Sequence, residues 1–317
     1  MGVAPPLLDR RLLFVTGKGG VGKTTIAAAL GLLAAREGKR TLVCEVDAKG
    51  NLADSYECGP LAFDEREVQP GLFAMAMETE ASLREYLSLN LKLPLLTRIG
   101  PLASIFDYVA AAAPGVREVL TVGKLCWEVR ERNYDLVVVD GPATGHVVGH
   151  LAAPAGIREL VSVGLIRNQT QWMLDLLDDP AVTGVVVTAL PEEMPVTESL
   201  ELIERLDHET GVDLAQVVVN RVLPELFGRT EEEVFDRLRE PWNTMRLGEL
   251  VGSPVGPLLD AAEFATSLRR SRVEHIGRLR DELAGRVPML YVPELFSRTH
   301  GLRSTRRVAD ALEAELL

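Results

Sequence analysis

Short apolar runs alternate along the chain with segments that have the spacing of amphipathic helices. Seven of these runs predict strands, at residues 12–16, 41–46, 72–77, 136–140, 184–190, 215–220 and 288–292. Each run is short and almost continuously apolar, which is typical of strands covered on both faces of a parallel sheet. Helical segments such as 24–38 and 197–211 lie between the runs. The pattern therefore predicts an α/β fold with a doubly wound, mostly parallel sheet.

Three stretches interrupt this alternation. Residues 79–133 and 147–179 contain no clear strand and are interpreted as helical insertions at one end of the sheet. Residues 222–285 are also mostly helical and rich in charge. Because no low-complexity linker and no internal repeat is visible, we expect residues 1–317 to form a single domain. The insertions would then build a helical subdomain upon it.

The amino-acid composition indicates which binding partners and which cellular compartment are expected. The chain has 317 residues, of which 47% are hydrophobic, and a formal net charge of -12. An acidic chain disfavours nucleic acid and anionic membranes as partners. Its three cysteines, Cys44, Cys58 and Cys126, have no CxxC spacing and suit a reducing cytosol. With no visible signal peptide and no apolar run of about 18 residues, we expect a cytoplasmic protein without an integral membrane segment.

The stretch GKGGVGKT at residues 17–24 matches the phosphate-loop motif G-x-x-x-x-G-K-[ST] in full. It follows an apolar run and precedes a helical segment, which is the context that the motif requires. Glycines let the loop curl so that its N–H groups point at phosphate oxygens, and the helix N-terminus adds positive potential. The sequence therefore predicts a P-loop NTPase that binds the phosphates of a nucleotide. The expected nucleotide contacts in this stretch and directly after it are Gly17, Lys18, Gly19, Gly20, Val21, Gly22, Lys23, Thr24 and Thr25.

Two lysines and a threonine give this loop its predicted chemistry. Lys23 is expected to contact the β- and γ-phosphates, and the Thr24 hydroxyl to ligate Mg²⁺. Lys18 leaves the loop at its beginning, where it hardly reaches the phosphates of its own loop. We expect it to reach the phosphates of a facing second subunit and to neutralise charge there, as an arginine finger does. The alternative is a solvated surface lysine.

The stretch YDLVVVDGPATGH supplies an acid beside this loop. Asp140 ends the apolar run and is predicted to support the Mg²⁺ shell, although an aspartate in that place is often only a turn former. Gly141, Pro142 and Gly145 are predicted to form a loop that shifts with the γ-phosphate. His146 is expected to support that loop rather than to act as a base.

A second acid is predicted to act on the attacking water. Asp47 follows the apolar run at 41–46, and its carboxylate would orient the water. Glu45 is a rival on the same sheet face but lies deeper in the strand, so Asp47 is preferred. Lys49 and Asn51 follow in a loop that could sense the γ-phosphate.

These motifs resemble, in order, those of the arsenical-pump and tail-anchored-protein-targeting ATPases. The resemblance rests on GKGGVGKTT, EVDAKGNLADSY, GLFAMAMETEASLREYL, APGVREVL, YDLVVVDGPATGH, LPEEMPVTESLELIERL and VVVNRVLP, and covers about residues 11–305. It implies a deviant-Walker P-loop fold, ATP hydrolysis with Mg²⁺, and a homodimer that sandwiches nucleotide. It also implies that Asn220 reads the adenine. The stretch YVPELF would close over the base, with Pro293 as the expected contact.

Several positions depart from the family pattern. The first switch of such ATPases usually reads D-P-A-H-N, whereas this chain has DAKGN at 47–51. The second usually reads D-T-A-P-T-G-H, whereas this chain has DGPATGH at 140–146. The zinc-binding CxxC of the eukaryotic targeting factors and the arsenite-binding cysteine cluster have no match, so a dimer would need other contacts and arsenite handling is not expected.

The biological task stays open between three hypotheses. The first is an ATPase dimer that changes shape to handle a hydrophobic or protein client. The segments FDYVAAAAPGV and LVSVGLIRNQTQWMLDLL would line a groove for this client. The alternative is that these helices pack only on each other. The second is a Min- or Par-type positioning ATPase, although the acidic end of the C-terminal segment disfavours anionic lipid. The third is a weakly hydrolysing, nucleotide-sensing subunit that forms a heterodimer with a paralogue.

Overall fold

The computed structural model describes residues 5–47, 49–91, 115–160, 165–297 and 301–316. Eight strands within these ranges form one sheet in the order β3-β4-β2-β5-β1-β6-β7-β8. Neighbouring strands are parallel except for β3 and β4, which are antiparallel. The strands are β1 (Leu12–Gly17), β2 (Thr41–Glu45), β3 (Arg66–Gln69), β4 (Leu72–Ala76), β5 (Leu136–Ala143), β6 (Thr183–Ala189), β7 (Leu214–Val222) and β8 (Met289–Pro293).

Helices cover both faces of this sheet. They are α1 (Lys23–Arg36), α2 (Asn51–Tyr56), α3 (Thr79–Leu91), α4 (Val116–Arg130), α5 (Thr144–Leu160), α6 (Leu165–Leu177), α7 (Glu193–Glu209), α8 (Arg229–Leu238), α9 (Pro241–Val251), α10 (Gly256–Leu283) and α11 (Leu302–Leu316). One core cluster joins the sheet to α1, α2 and α11, and a second joins it to α4–α7 and to the last turns of α10. This is the predicted doubly wound, mostly parallel arrangement of a P-loop NTPase.

All seven predicted strands are present, within two residues at most ends. Strand β3 was not predicted, because its exposed and half-buried residues at the sheet edge have no continuous apolar run. Residues 79–133 and 147–179 are almost entirely helical where the structure describes them, and so is most of 222–285. The predicted segment FDYVAAAAPGV lies almost wholly outside the described residues, and LVSVGLIRNQTQWMLDLL lies partly outside them.

The prediction of a loop directly after Asp140 is wrong. Strand β5 continues to Ala143 and pairs with Gly17 of β1. A Cβ atom at Gly141 would lie 2.9 Å from the carbonyl oxygen of Val15, so glycine allows this close approach of the two strands. Helix α5 begins immediately afterwards, at Thr144.

Within the described ranges, no helix combines the length and the apolar character that crossing a membrane would require.

Candidate functional site

The phosphate loop connects β1 to α1 at the carboxyl edge of the sheet. Gly22 precedes α1 with φ 95°, a left-handed conformation that favours glycine. A Cβ atom there would lie 2.4 Å from Nδ2 of Asn220, so the loop also lacks room for a side chain at this point. The Lys23 ammonium donates a hydrogen bond to the carbonyl oxygen of Lys18 at 3.2 Å and so lies across the loop.

An open cavity of about 410 Å³ lies over this loop. It brings together most of the residues that the sequence predicted for the phosphates, the metal and the attacking water. Its lining is Gly19, Gly20, Gly22, Lys23, Thr24, Thr25, Glu45, Asp47, Lys49, Asn51, Asp54, Ser55, Asp140, Gly141 and Ala143. These residues lie close together because β1, β2 and β5 are neighbouring strands whose carboxyl ends are at the same edge of the sheet.

Asp140 and Thr24 form the centre that best fits a divalent cation. The Thr24 hydroxyl donates a hydrogen bond to Oδ2 of Asp140 at 2.6 Å. The other oxygen, Oδ1, is buried without a hydrogen-bond partner. Burial raises the pKa of Asp140 to about 7; Glu45 and Asp47 add to the rise, and the Thr24 hydrogen bond and Lys23 oppose it. A buried oxygen without a partner and a nearby hydroxyl are suited to Mg²⁺, a hard cation that prefers oxygen ligands.

The protein alone supplies only part of such a coordination shell. Among the described residues, no group of three or more His, Cys, Asp or Glu side chains is placed to hold a metal ion. Mg²⁺ in nucleotide sites commonly takes one or two protein ligands and completes its shell with phosphates and waters. The donor set of Thr24 and Asp140 therefore fits a cation that arrives with a nucleotide.

Glu45 has a structural position that the sequence did not reveal. It is 2% exposed and lies beside Asp140 in the register of β2 and β5. Its two carboxylate oxygens accept hydrogen bonds from the backbone N–H groups of Gly50 at 3.2 Å and Asn51 at 3.0 Å. Glu45 thus binds the first N–H groups of α2 and fixes the loop that carries Asp47.

Asp47 lies nearer to solvent than Glu45. It pairs with Lys49 at 3.2 Å, and both of these side chains are exposed. Asp47 therefore lines the cavity with an accessible carboxylate, as a water-orienting residue must, whereas both oxygens of Glu45 already accept backbone hydrogen bonds.

Lys18 does not line the cavity above its own loop. Its ammonium lies 2.5 Å from Oε1 of Glu198 on α7, and both side chains are about one-third exposed. The side chain therefore leaves the loop sideways and is held near the surface. Glu198 is 180 positions away in the sequence, and no local pattern in the chain indicated this partner.

A second cavity, of about 230 Å³, adjoins the first through Thr25, which lines both. Asn220, Arg221, Pro293, Glu294, Leu295, Ser297, Ser304 and Val308 complete its lining. Asn220 and Pro293, expected from different parts of the sequence, thus meet because β7 and β8 are paired. This cavity lies beside the phosphate loop and is bordered by the segment after β8, where the sequence predicted the adenine contacts.

Asn220 also holds the phosphate loop. Its amide Nδ2 donates to the carbonyl oxygen of Val21 at 2.8 Å, and its Oδ1 accepts from the Arg221 N–H at 2.9 Å. A side-chain amide has two donor hydrogens and two acceptor lone pairs, and these two bonds use one of each.

His146 lies at the exposed start of α5 and does not line the cavity. Its carbonyl oxygen accepts a hydrogen bond from Nδ1 of His150 at 3.0 Å. This geometry gives its imidazole no contact with the cavity.

Comparisons with known proteins show which family this chain is similar to. A family model described as "Anion-transporting ATPase" matches residues 10–175 and 159–241. The ATPase BagA of Mycobacterium tuberculosis is 32% identical over 304 residues, which cover 90% of this chain and 86% of that protein. The "ATPase ASNA1 homolog" of Entamoeba dispar and the "ATPase get3" of Schizosaccharomyces japonicus are each 26% identical; the alignments cover 67% of this chain and 76% and 74% of those proteins, respectively.

Proposed function

This chain belongs to the anion-transporting ATPase family and is an ATP hydrolase, and from that premise we propose that it works as a Mg²⁺-dependent dimer that closes around nucleotide. The observation that supports nucleotide binding is that two cavities adjoin at Thr25, which lines both. One is lined by the phosphate loop and the acids that the sequence predicted for phosphate and metal, and the other by Asn220 and Pro293, the predicted adenine contacts. The dimer is proposed because Lys18 does not line the cavity above its own loop.

The residues of the cavity divide the chemistry between them. The N–H groups of the phosphate loop bind the phosphate oxygens, and the Lys23 ammonium turns from the Lys18 carbonyl to the β- and γ-phosphates. Thr24 and Asp140 would hold Mg²⁺, which when bound neutralises charge on the same phosphates. Asp47 orients the attacking water through its accessible carboxylate.

Lys18 has its role in the second subunit of the dimer. Its ammonium lies outside its own cavity and near the surface, with Glu198 as its partner. In the dimer, Lys18 would leave Glu198 and contact the phosphates of the nucleotide bound to the second subunit. A cation that arrives there stabilises charge on the transferring phosphoryl group. Hydrolysis would then require two chains.

The dimer would couple ATP turnover to a hydrophobic or protein client. The support is the similarity to ASNA1- and get3-type ATPases and the helices that follow β4 and β5, which stand where the sequence predicted the insertions. Residues 92–114 and 161–164 of those insertions lie outside the described residues, so the proposal for the client rests on the relatives rather than on a groove.

Turnover measured against protein concentration tests the proposed mechanism. The proteins would be the wild type, Lys18→Ala, and the matched control Lys39→Ala, whose lysine pairs with Asp9 away from the cavity. Mass would be followed by light scattering with Mg²⁺ and ATP. We expect turnover per chain to rise with concentration, and Lys18→Ala to lose turnover but bind ATP. A rate that does not change with concentration and is equal in all three proteins would refute the dimeric mechanism.

The Lys18–Glu198 contact also favours one alternative, the nucleotide-sensing subunit of a heterodimer. A lysine held within its own chain is not available to a second subunit until the contact opens. If this chain alone turns over slowly at every concentration, adding a paralogue that restores the rate would favour the heterodimer.

A further inference from the structure

One charged side chain of the phosphate cavity has no part in the chemistry proposed above. Of the described residues that line this cavity, two carry a positive charge, Lys23 and Lys49. Lys23 lies across the phosphate loop and is assigned to the β- and γ-phosphates. Lys49 follows β2 in the loop that carries Asp47, and its side chain is 66% exposed. The sequence indicated that this loop could sense the γ-phosphate but gave no contact by which it would do so.

The backbone at Lys49 is held close to the predicted metal centre. The next two residues, Gly50 and Asn51, donate their N–H groups to the Glu45 carboxylate at 3.2 and 3.0 Å. Glu45 is buried and lies beside Asp140 in the register of β2 and β5. Hydrogen bonds to a carboxylate are among the strong ones in proteins, so this attachment restricts the loop. The exposed Lys49 side chain therefore extends from a fixed position at the edge of the sheet.

The Lys49 ammonium is near enough to the phosphate site to act on the charges there. Burial lowers the pKa of Lys23, and the charge of Lys49 lowers it further, whereas Asp140 and Asp47 oppose this change. Two ammonium groups that repel each other both gain when an anion binds between them. The cavity therefore offers a phosphate one ammonium from the phosphate loop and a second from the loop after β2.

Without nucleotide, the partner of Lys49 is the carboxylate of Asp47. The ammonium donates a hydrogen bond to Oδ2 of Asp47 at 3.2 Å, and the two side chains are 66% and 40% exposed. An ion pair this exposed contributes little to stability, because water solvates both charges when the pair opens. Lys49 can therefore change partners at small cost, and its flexible four-carbon stem lets the ammonium move.

We propose that Lys49 exchanges Asp47 for the γ-phosphate when ATP binds. A terminal phosphate carries close to two negative charges near pH 7 and a carboxylate carries one, so the phosphate attracts the ammonium more strongly. The exchange leaves Oδ2 of Asp47 without its donor, and this oxygen then accepts a hydrogen bond from the attacking water. ADP ends at the β-phosphate, nearer to the phosphate loop, and leaves the pair of Lys49 and Asp47 closed.

This exchange makes Lys49 a γ-phosphate sensor that positions Asp47. The inference rests on the proposed role of Asp47 in orienting water, and it adds the residue that controls when the carboxylate is free. It requires no second chain, because Lys49 and Asp47 line the cavity of their own chain. The exchange forms no covalent bond and transfers no proton.

Calorimetric titration with Mg²⁺ and either ADP or a non-hydrolysable ATP analogue tests the inference. The variants are Lys49→Gln, which removes the charge, Lys49→Arg, which keeps it, and the matched control Arg205→Gln, whose arginine forms an exposed pair with Glu209 in the last turns of α7. We expect Lys49→Gln to bind the analogue roughly tenfold more weakly, the loss expected for one hydrogen bond to a charged group, and to bind ADP almost unchanged. Lys49→Arg and Arg205→Gln should bind both nucleotides as the wild type does. The unfolding midpoint without nucleotide should be the same in all four proteins, because the replaced side chains are exposed.

A second pair of variants separates partner exchange from simple attraction. Asp47→Asn removes the competing partner, so the analogue should bind about threefold more tightly than to the wild type. In the double variant Asp47→Asn with Lys49→Gln this gain should be absent, because no ammonium is left to transfer. A gain of equal size on both backgrounds would mean that Asp47 only repels the phosphate through space, and it would overturn the exchange.

The remaining outcomes separate failure of the inference from failure of the proposed function. If Lys49→Gln weakens ADP and the analogue equally, or weakens neither, Lys49 does not sense the γ-phosphate and the proposed roles of the other residues stand. If Lys49→Arg loses as much analogue affinity as Lys49→Gln, the charge of Lys49 is not the cause and the inference is wrong. If Asp47→Asn hydrolyses ATP at the wild-type rate, or if the wild type binds neither nucleotide, the proposed function fails and the inference fails with it.

Discussion

Replacing Asp140 by asparagine should stabilise the nucleotide-free protein, although Asp140 lies at the centre of the site. The carboxyl is buried, and its Oδ1 has no hydrogen-bond partner. Burial, the largest cause, raises the pKa of Asp140 from 3.8 to about 7. The folded chain therefore binds this proton more tightly than the unfolded chain, and its stability falls as pH rises from about 4 to about 7.

The magnitude follows from the size of this pKa shift. One pKa unit corresponds to about 1.4 kcal/mol, so a shift of about three units costs up to about 4 kcal/mol above pH 7. Asparagine has nearly the same shape and carries no charge, and its oxygen can still accept the Thr24 hydrogen bond. Asp140→Asn should therefore raise the free energy of unfolding by up to about 4 kcal/mol at pH 8, and by much less at pH 4.5.

Urea unfolding without nucleotide at these two pH values measures this effect. The control is Asp54→Asn, an exposed carboxylate that lines the same cavity and should change stability by less than about 0.5 kcal/mol. Thermal unfolding with Mg²⁺ and ATP should then show the reverse order, since the variant lacks the charged ligand. A variant that is less stable than the wild type at pH 8 without nucleotide would refute the reasoning, and so would equal stabilisation of both proteins by Mg²⁺ and ATP.

Three further substitutions test separate parts of the structure. Glu45→Gln removes the charged acceptor of two backbone N–H groups and should lower kcat about tenfold while ATP affinity changes less than threefold; equal losses in both would contradict a role in positioning the loop. Asn220→Ala leaves the carbonyl of Val21 without its donor and should cost about 1–3 kcal/mol in urea unfolding together with ATP affinity; unchanged affinity would remove Asn220 from the nucleotide site. Lys124→Met leaves the buried Glu128 carboxylate without its cation and should cost about 3–5 kcal/mol of unfolding free energy, whereas a neutral result would mean that water compensates the charge.

The phosphate loop and the sheet could be predicted because their signals are local. Seven strands could be predicted from continuous apolar runs, because a strand covered on both faces is apolar at nearly every position. The predicted phosphate contacts of the motif at 17–24 are consecutive residues, and Asp140 directly follows an apolar run. Strand β3 was not predicted, because it lies at the edge of the sheet and its exposed or half-buried side chains do not form an apolar run.

The assignment of acids and bases depended on what the strands bring together. The sequence placed Glu45 and Asp47 on one face but did not show that Glu45 binds the N–H groups of Gly50 and Asn51. The extension of β5 through Gly141 also had no local signal, because it depends on pairing with β1. The expected roles of Lys18 and Asp47 in hydrolysis stay predictions until turnover is measured.

The sequence by itself determined the fold class, the phosphate loop and the acid beside it, because apolar periodicity and a contiguous motif are properties of neighbouring residues. Only the tertiary structure decided that Lys18 pairs with Glu198, that Asn220 holds Val21, and that large apolar side chains of α9 and α10 are left exposed. These are contacts, or missing contacts, between residues far apart in the chain. Their free energy depends on burial and distance, which exist only once the sheet has assembled.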